Sequence, residues 1–292
     1  MILITGGTGF IGRYFVNDMI QQGYDIRLLA RTDEEAKDFS SKVEVFKGNA
    51  TKLETLNGIS KDVDIVVHMV GAISLNPEEN FLVNTHSTKN IVELCRNVEK
   101  IIYTSSADVF GPIEGIADEN YPCMSNNPYG ISKIQAEQII LESGIPSIIF
   151  RPTIVYGIGS PWWKYGMSLL KWGFVPDTEN FTQIVHVKDV SNALCIGVKK
   201  GNGIFIIADE KPIKIVDLFS KTVQLLGKKP RKVPMWATKF ATILMRKRNY
   251  FEVAITNRAF SIEKAKTKLK WHPKCDFDLE FKSMVEWYKK LK

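Results

Sequence analysis

Tyr129-Gly130-Ile131-Ser132-Lys133 opens a helix-like stretch and sets a phenol and an ammonium four residues apart. Residues i and i+4 share a helix face. A free tyrosine titrates near ~10, too high for acid–base work at neutral pH. A nearby ammonium favours the phenolate and lowers that value. Such a phenol could give a proton to a carbonyl, or take one from an alcohol, while a hydride moves between substrate and a nicotinamide. The spacing alone is weak, because Tyr288 and Lys292 repeat it on the last helical stretch with no strand beside them. The first pair has context. It follows the strand-like Lys100–Thr104, which runs into Ser105-Ser106-Ala107-Asp108-Val109-Phe110-Gly111. A hydroxyl at that strand end can polarise the oxygen that the tyrosine serves.

A second constellation stands at the start of the chain, in Ile2-Leu3-Ile4-Thr5-Gly6-Gly7-Thr8-Gly9-Phe10-Ile11-Gly12. Gly6 permits a tight turn, Gly9 lets backbone approach a pyrophosphate, and Gly12 lets a helix pack on the strand. The free N–H groups of that helix then face the anion. The end of the next strand reports on the ribose. A carboxylate there takes the 2′-hydroxyl of NAD, and an arginine accommodates the 2′-phosphate of NADP. Ala30 holds the place of the acid and Arg31 follows it. This predicts NADP(H) over NAD(H), with Asp33 or Glu34 as the alternative ribose partner.

These residues need a frame. Apolar, β-rich runs fall at 2–5, 25–29, 43–47, 64–69, 100–104 and 147–150. Amphipathic stretches at 11–22, 78–96 and 129–143 lie between them. Strands alternating with helices predict a parallel α/β sheet covered on both faces, doubly wound by right-handed crossovers. After Gly157 the pattern loosens, and 158–185 shows little regular period around Pro161-Trp162-Trp163, Trp172 and Pro176. A strand is expected at 203–207, and helices at 215–226, 235–245, 262–269 and 277–291. The expected division is a dinucleotide-binding Rossmann domain over 1–157 plus about 184–209. A smaller, mainly helical substrate lobe takes 158–183 plus 210–292.

Several classes are excluded. With 292 residues, 45% hydrophobic and 24% charged, the chain has ample material for a core. It has no leader pattern and no apolar run long enough to span a bilayer, so it reads as a soluble, cytoplasmic protein. Cys95, Cys123, Cys195 and Cys275 form no CxxC pair and read as reduced thiols. His68, His86, His186 and His272 show no ligand spacing, and no metal is expected. The net charge is +7, with basic clusters at Lys199-Lys200, Lys228–Lys232 and Arg246-Lys247-Arg248. These read as solvated surface, or as attraction for anionic small molecules. No nucleic-acid module accompanies them. Trp162 and Trp163 read as core or lobe packing, with a substrate mouth as the alternative. Met235–Arg248 reads as a lobe helix buried on one side, with a basic membrane-surface helix as the alternative.

The ordered motifs resemble the extended short-chain dehydrogenase/reductase family, also called the NAD-dependent epimerase/dehydratase family. Thr5–Gly12 matches its glycine motif, and Val67-His68-Met69-Val70-Gly71-Ala72 is similar to its fourth-strand segment. Asn84, with Thr88–Val92, resembles its structural asparagine and helix. Ser105–Gly111, Tyr129–Lys133, Arg151–Gly157, Ile184–Val190 and Lys264–Pro273 follow in family order. The resemblance implies Ser106, Tyr129 and Lys133 as the catalytic set. Ser106 is chosen over Ser105 because it precedes the x-x-Val-Phe-Gly tail. It implies cofactor contacts at Gly6, Gly9, Phe10, Ile11, Gly12, Arg31, Asn49, Ala50, Val70, Gly71, Tyr129 and Lys133.

Departures from the pattern bear on substrate. Asn49 stands where many members have aspartate, and Ile154 where sugar-nucleotide enzymes commonly carry asparagine. The leading expectation is an NAD(P)-dependent epimerase, dehydratase or reductase acting on a nucleotide-sugar. An NADP(H)-dependent ketone or hydroxysteroid-type reductase and a non-enzymatic NADP(H)-binding protein are the alternatives. A homodimer through the helices at 78–97 and 129–143 is a further expectation.

Overall fold

Ile2–Thr5 (β1) and Ile26–Ala30 (β2) are buried at every position. Strands of that kind must be covered on both faces, and crossover helices supply the cover. The computed structural model describes residues 1–39, 41–244 and 256–291, with 241–244 as backbone. It shows a seven-stranded parallel sheet. The further strands are Glu44–Lys47 (β3), Ile65–His68 (β4), Lys100–Thr104 (β5) and Ser147–Pro152 (β6). Across Ile154–Tyr156 (β7), Phe174–Pro176 (β8), Phe181–Thr182 (β9) and Ile184–His186 (β10) the chain leaves the sheet. It returns with Gly203–Ile207 (β11), giving the order β11-β6-β5-β4-β1-β2-β3. Ile2 lies opposite Ile26 on one side and Ile65 on the other. The order reverses between β1 and β4, which is where open α/β sheets bind ligands.

Period two decides which layer each side chain joins. Ile2 and Ile4 pack with Phe15, Val16 and Met19 of Phe10–Gln21 (α1) and with Val190 and Leu194. Leu3 points the other way, among Ile91, Ala136 and Ile140. The helices Asp33–Ala36 (α2), Pro77–Asn80 (α3), Ser87–Leu94 (α4), Pro128–Glu142 (α5), Pro161–Leu170 (α6) and Val187–Lys199 (α7) follow in order. The single helix expected over 78–96 is broken by a π-helical turn at Phe81–His86. The cause is Asn84, whose amide bonds Ala72 O and Ser132 Oγ instead of facing solvent.

In the second half, residues 158–183 are more regular than expected, because they contain α6. Ser160 caps it at the Trp163 N–H and Pro161 starts it, a helix-start signal present in the sequence. Trp163 is buried against Phe281, their rings 5.0 Å apart, within one apolar cluster. Ile213–Lys214 (β12) pairs with β9, and Arg231–Val233 (β13) pairs with β8. Ile215–Leu225 (α8), Met235–Leu244 (α9) and Phe277–Lys290 (α10) complete the chain. Lys264 leads into a π-turn at Ala265–Leu269, where an α-helix was expected. Arg246-Lys247-Arg248 lies outside the described residues.

Candidate active site

The β1–α1 turn is built for close approach. A Cβ at Gly12 would sit 2.2 Å from Gly6 O, and one at Gly6 would meet Met69 backbone at 2.6 Å. Gly6 also holds φ +74°, a region that favours glycine. At Gly9 a Cβ would touch only Gly6 O, so the outer side of the turn is open. No side chain caps α1, which leaves the N–H groups of its first turn, at Phe10, Ile11 and Gly12, for an anion. These residues fit the pyrophosphate of a nicotinamide dinucleotide, a group that supplies hydride transfer when bound.

The other expected cofactor residues follow the ends of neighbouring parallel strands. Arg31 follows β2, Asn49 and Ala50 follow β3, and Val70 and Gly71 follow β4. Their surroundings differ. Asn49 Oδ1 accepts from the N–H and hydroxyl of Thr51, which shapes the loop. Ala50 is buried in the core and its carbonyl accepts from Asn90, so its side chain faces protein. A Cβ at Gly71 would lie 3.8 Å from Lys133 Nζ, which links the β4 loop to α5. Arg31 is largely exposed, and its Nε and NH2 both donate to Glu35 Oε1, Nε at 2.8 Å.

Ser106 and Tyr129 come together between β5 and α5. Ser105 is turned away, its hydroxyl donating to Glu137 Oε1 at 2.5 Å. Ser106 accepts from Asp108 N–H at 3.1 Å and lies close enough to the Tyr129 phenol to favour its ionised form. Asn127 starts α5 by capping Gly130 N–H at 2.8 Å, which sets Tyr129 in the first turn. Burial pushes the phenol pKa up, the Asp108 carboxylate adds to this, and the Ser106 hydroxyl opposes both. The expected lowering by Lys133 is therefore absent from this geometry. Lys133 is buried, its Nζ donates to Thr104 O at 2.7 Å, and it stands 4.3 Å from the Tyr103 ring centre. Burial pushes its pKa down to about 7, against the pull of Glu137. An ammonium that is half deprotonated near neutrality and aimed at a carbonyl does little for the phenol.

A pH test follows from that burial. Lys133 titrates near 10.5 when exposed and near 7 when folded. The unfolded chain therefore binds more protons between those values, and stability should rise with pH there. Below about 7 the cost of burying the charge is fully present. Lys133→Met should flatten the slope of Tm against pH relative to the parent. Parallel curves for the two proteins would show that Lys133 stays charged.

Three features lay beyond sequence reasoning. Arg258 pairs with Asp108, 150 residues away, and its Nε is buried without a partner among the described residues. Arg151 and Glu137 form a buried pair, NH2 to Oε2 at 2.6 Å, under the Ser105 hydroxyl. Position 151 was visible as a motif residue, but no local pattern names either partner. His186 lies between Cys275 and Glu280, with Nδ1 to Sγ at 3.1 Å and Nε2 to Oε2 at 3.7 Å. The thiol and carboxylate meet opposite edges of the ring, and Lys188 holds Glu280 at 2.7 Å. The ring hydrogen-bonds the thiol, while the carboxylate stands beyond hydrogen-bonding distance of the other edge. His68 is a core residue between Thr5 and Thr88, its pKa pushed down to about 3 by burial.

Solved structures share this fold. The model of the NAD dependent epimerase/dehydratase family matches residues 2–208. A candidate UDP-glucose 4-epimerase of Methanocaldococcus jannaschii is 28% identical, over 99% of this chain and 98% of its own. A sterol-4-alpha-carboxylate 3-dehydrogenase of Dictyostelium discoideum is 26% identical, over 80% and 79%. The UDP-glucose 4-epimerase of Thermotoga maritima, solved with UDP-glucose, superposes with a TM-score of 0.82 at 22% identity, covering 99% of both chains. Matched from β1 to the end of the sheet, this chain belongs to the NAD dependent epimerase/dehydratase family, enzymes of the extended short-chain dehydrogenase/reductase type.

Proposed function

We propose that this enzyme is an NADP(H)-using epimerase, dehydratase or reductase acting at a carbinol or carbonyl of a nucleotide-sugar. The observation that carries the substrate class is Arg258. Asp108 holds its guanidinium two residues beyond Ser106, and its Nε is buried without a partner among the described residues. Leaving such a donor unpaired is costly, and an anionic group such as a diphosphate would satisfy it. Tyr129 gives or takes the proton, Ser106 positions the oxygen, and Lys133 holds the nicotinamide ribose. The domain division expected above assigns Arg258 to the substrate lobe.

Thermal unfolding with saturating NADPH, with and without UDP, dTDP, GDP and CDP, tests this reading. A ligand at a hundred times its Kd adds about 2.7 kcal/mol, about 4–5 °C for a chain of this size. One base should stand out. If none shifts Tm beyond NADPH alone, the ketone or hydroxysteroid reading takes over. That reading has its own support in the apolar Ile154 and the likeness to the sterol dehydrogenase.

The NADP(H) preference rests on β2, which ends in buried Ala30 with Arg31 exposed beside it. Glu35 competes for that guanidinium, while Asp33 is held by Lys47 at 2.7 Å. Arg31→Glu should weaken NADPH about ten- to a hundredfold, the worth of a charged hydrogen bond, and leave NADH nearly unchanged. Unchanged NADPH affinity in Arg31→Glu would overturn this preference. A homodimer suits the exposed Leu82 and Leu141 on the helical layer that carries α4 and α5.

A further inference from the structure

We propose that the unit formed by β8, β13 and α9 docks on an anionic lipid bilayer. The expectation for α9 was a helix buried on one side. Over 235–240, Met235, Ala237 and Thr238 are half-buried, and Trp236, Lys239 and Phe240 are exposed. Trp236 is 75% exposed and Phe240 67%, with exposed Lys239 between them on the same face. Trp172 and Phe174 are likewise exposed, at 68% and 52%. Large aromatics are normally the best core material, so four of them turned outward on one small unit need a partner. They are joined by structure as well as by count. Phe174 lies opposite Arg231 in the β8–β13 pair, and Arg231 N–H bonds Gly173 O at 2.8 Å. β13 then passes through Pro234 directly into α9.

Charge selects the occupant. Residues 171–177 and 228–240 carry Lys171, Lys228, Lys229, Arg231, Lys232 and Lys239, against one carboxylate, Asp177. Lys171 Nζ stands 5.3 Å from the Trp172 ring, so cation and indole share one spot. Tryptophan favours the headgroup layer, where a flat ring sits in apolar chains and its N–H in water. Lysine and arginine beside it favour anionic headgroups. A second copy of the chain fits poorly, because a two-fold contact would set these cations against their own images. No helix among the described residues is long and apolar enough to cross a membrane, so the contact lies on the surface.

Cosedimentation of the full chain with vesicles tests this. Binding should be strong to equal parts of phosphatidylglycerol and phosphatidylcholine at low salt, and weak to phosphatidylcholine alone. High salt should release the protein. Trp236→Ala with Phe240→Ala should lower partitioning about tenfold or more. Lys228→Gln with Arg231→Gln should do likewise, at about fivefold per charge. These side chains are exposed, so both variants should keep the parent Tm and nicotinamide binding. Equal binding to neutral and anionic vesicles, or unchanged binding by the aromatic variant, would overturn the proposal. So would a concentration-dependent oligomer that the aromatic variant dissolves without any vesicle binding.

Discussion

Tyr129→Phe is expected to lower kcat about a thousandfold, within the range for losing one acid–base group, while cofactor affinity and Tm stay near the parent values. Deletion of one hydroxyl leaves the ring packed as before. What is lost is the proton that burial and Asp108 hold on the phenol. That raised pKa makes Tyr129 a proton donor at neutral pH in this geometry. Reduction of a carbonyl should therefore suffer at least as much as oxidation of the alcohol. Ser106→Ala should lose less, because it removes a hydrogen bond to the reacting oxygen and not the proton itself. Initial rates in both directions check this. A Tyr129→Phe protein with parent turnover would remove the tyrosine from the chemistry.

The largest loss of stability is expected from Glu137→Ala. Both partners of the Glu137–Arg151 pair are almost fully buried, at 5% and 4% of their side-chain surface. Removing one charge of such a pair leaves the other uncompensated and costs about 3–5 kcal/mol. It also strips Ser105 of its acceptor and Lys133 of the carboxylate that keeps its pKa from falling further. Urea unfolding should show the loss as a lower midpoint. The conservative Glu137→Gln should recover part of it through the remaining hydrogen bonds. A midpoint within about 0.5 kcal/mol of the parent, the range of an ordinary surface change, would show that water reaches the pair.

Much of the frame was legible because it is local. Continuous apolar runs and the Gly6, Gly9, Gly12 spacing can only be strands and a tight turn, and their boundaries hold within two residues at most strands. Ser106 is preferred to Ser105 because it precedes the x-x-Val-Phe-Gly tail of the resembled family, and the Ser105 hydroxyl bonds Glu137. The illegible part is long-range. Nothing near Asp108 announces Arg258, and nothing in Tyr129–Lys133 says that the lysine will point at Thr104. The helical spacing correctly puts tyrosine and lysine on one face but says nothing about burial, and burial decides both pKa values. The π-turn at Asn84 escaped for the same reason, because its cause lies across the fold on Ser132. At α6 the start signal was present and was outweighed by the irregular aromatic spacing.

The central claim is that Ser106 and Tyr129 serve hydride transfer at a substrate carbinol or carbonyl with a bound nicotinamide dinucleotide. Absorbance at the reduced-nicotinamide band, followed on rapid mixing of cofactor-loaded protein with candidate nucleotide-sugars and ketones, tests it most directly. Epimerase, dehydratase and reductase chemistry all require the nicotinamide to change redox state in a single turnover. A burst with at least one substrate, abolished in Tyr129→Phe at unchanged cofactor loading, is the predicted result. A burst of parent size in Tyr129→Phe, or none with any substrate of either class, would contradict the account.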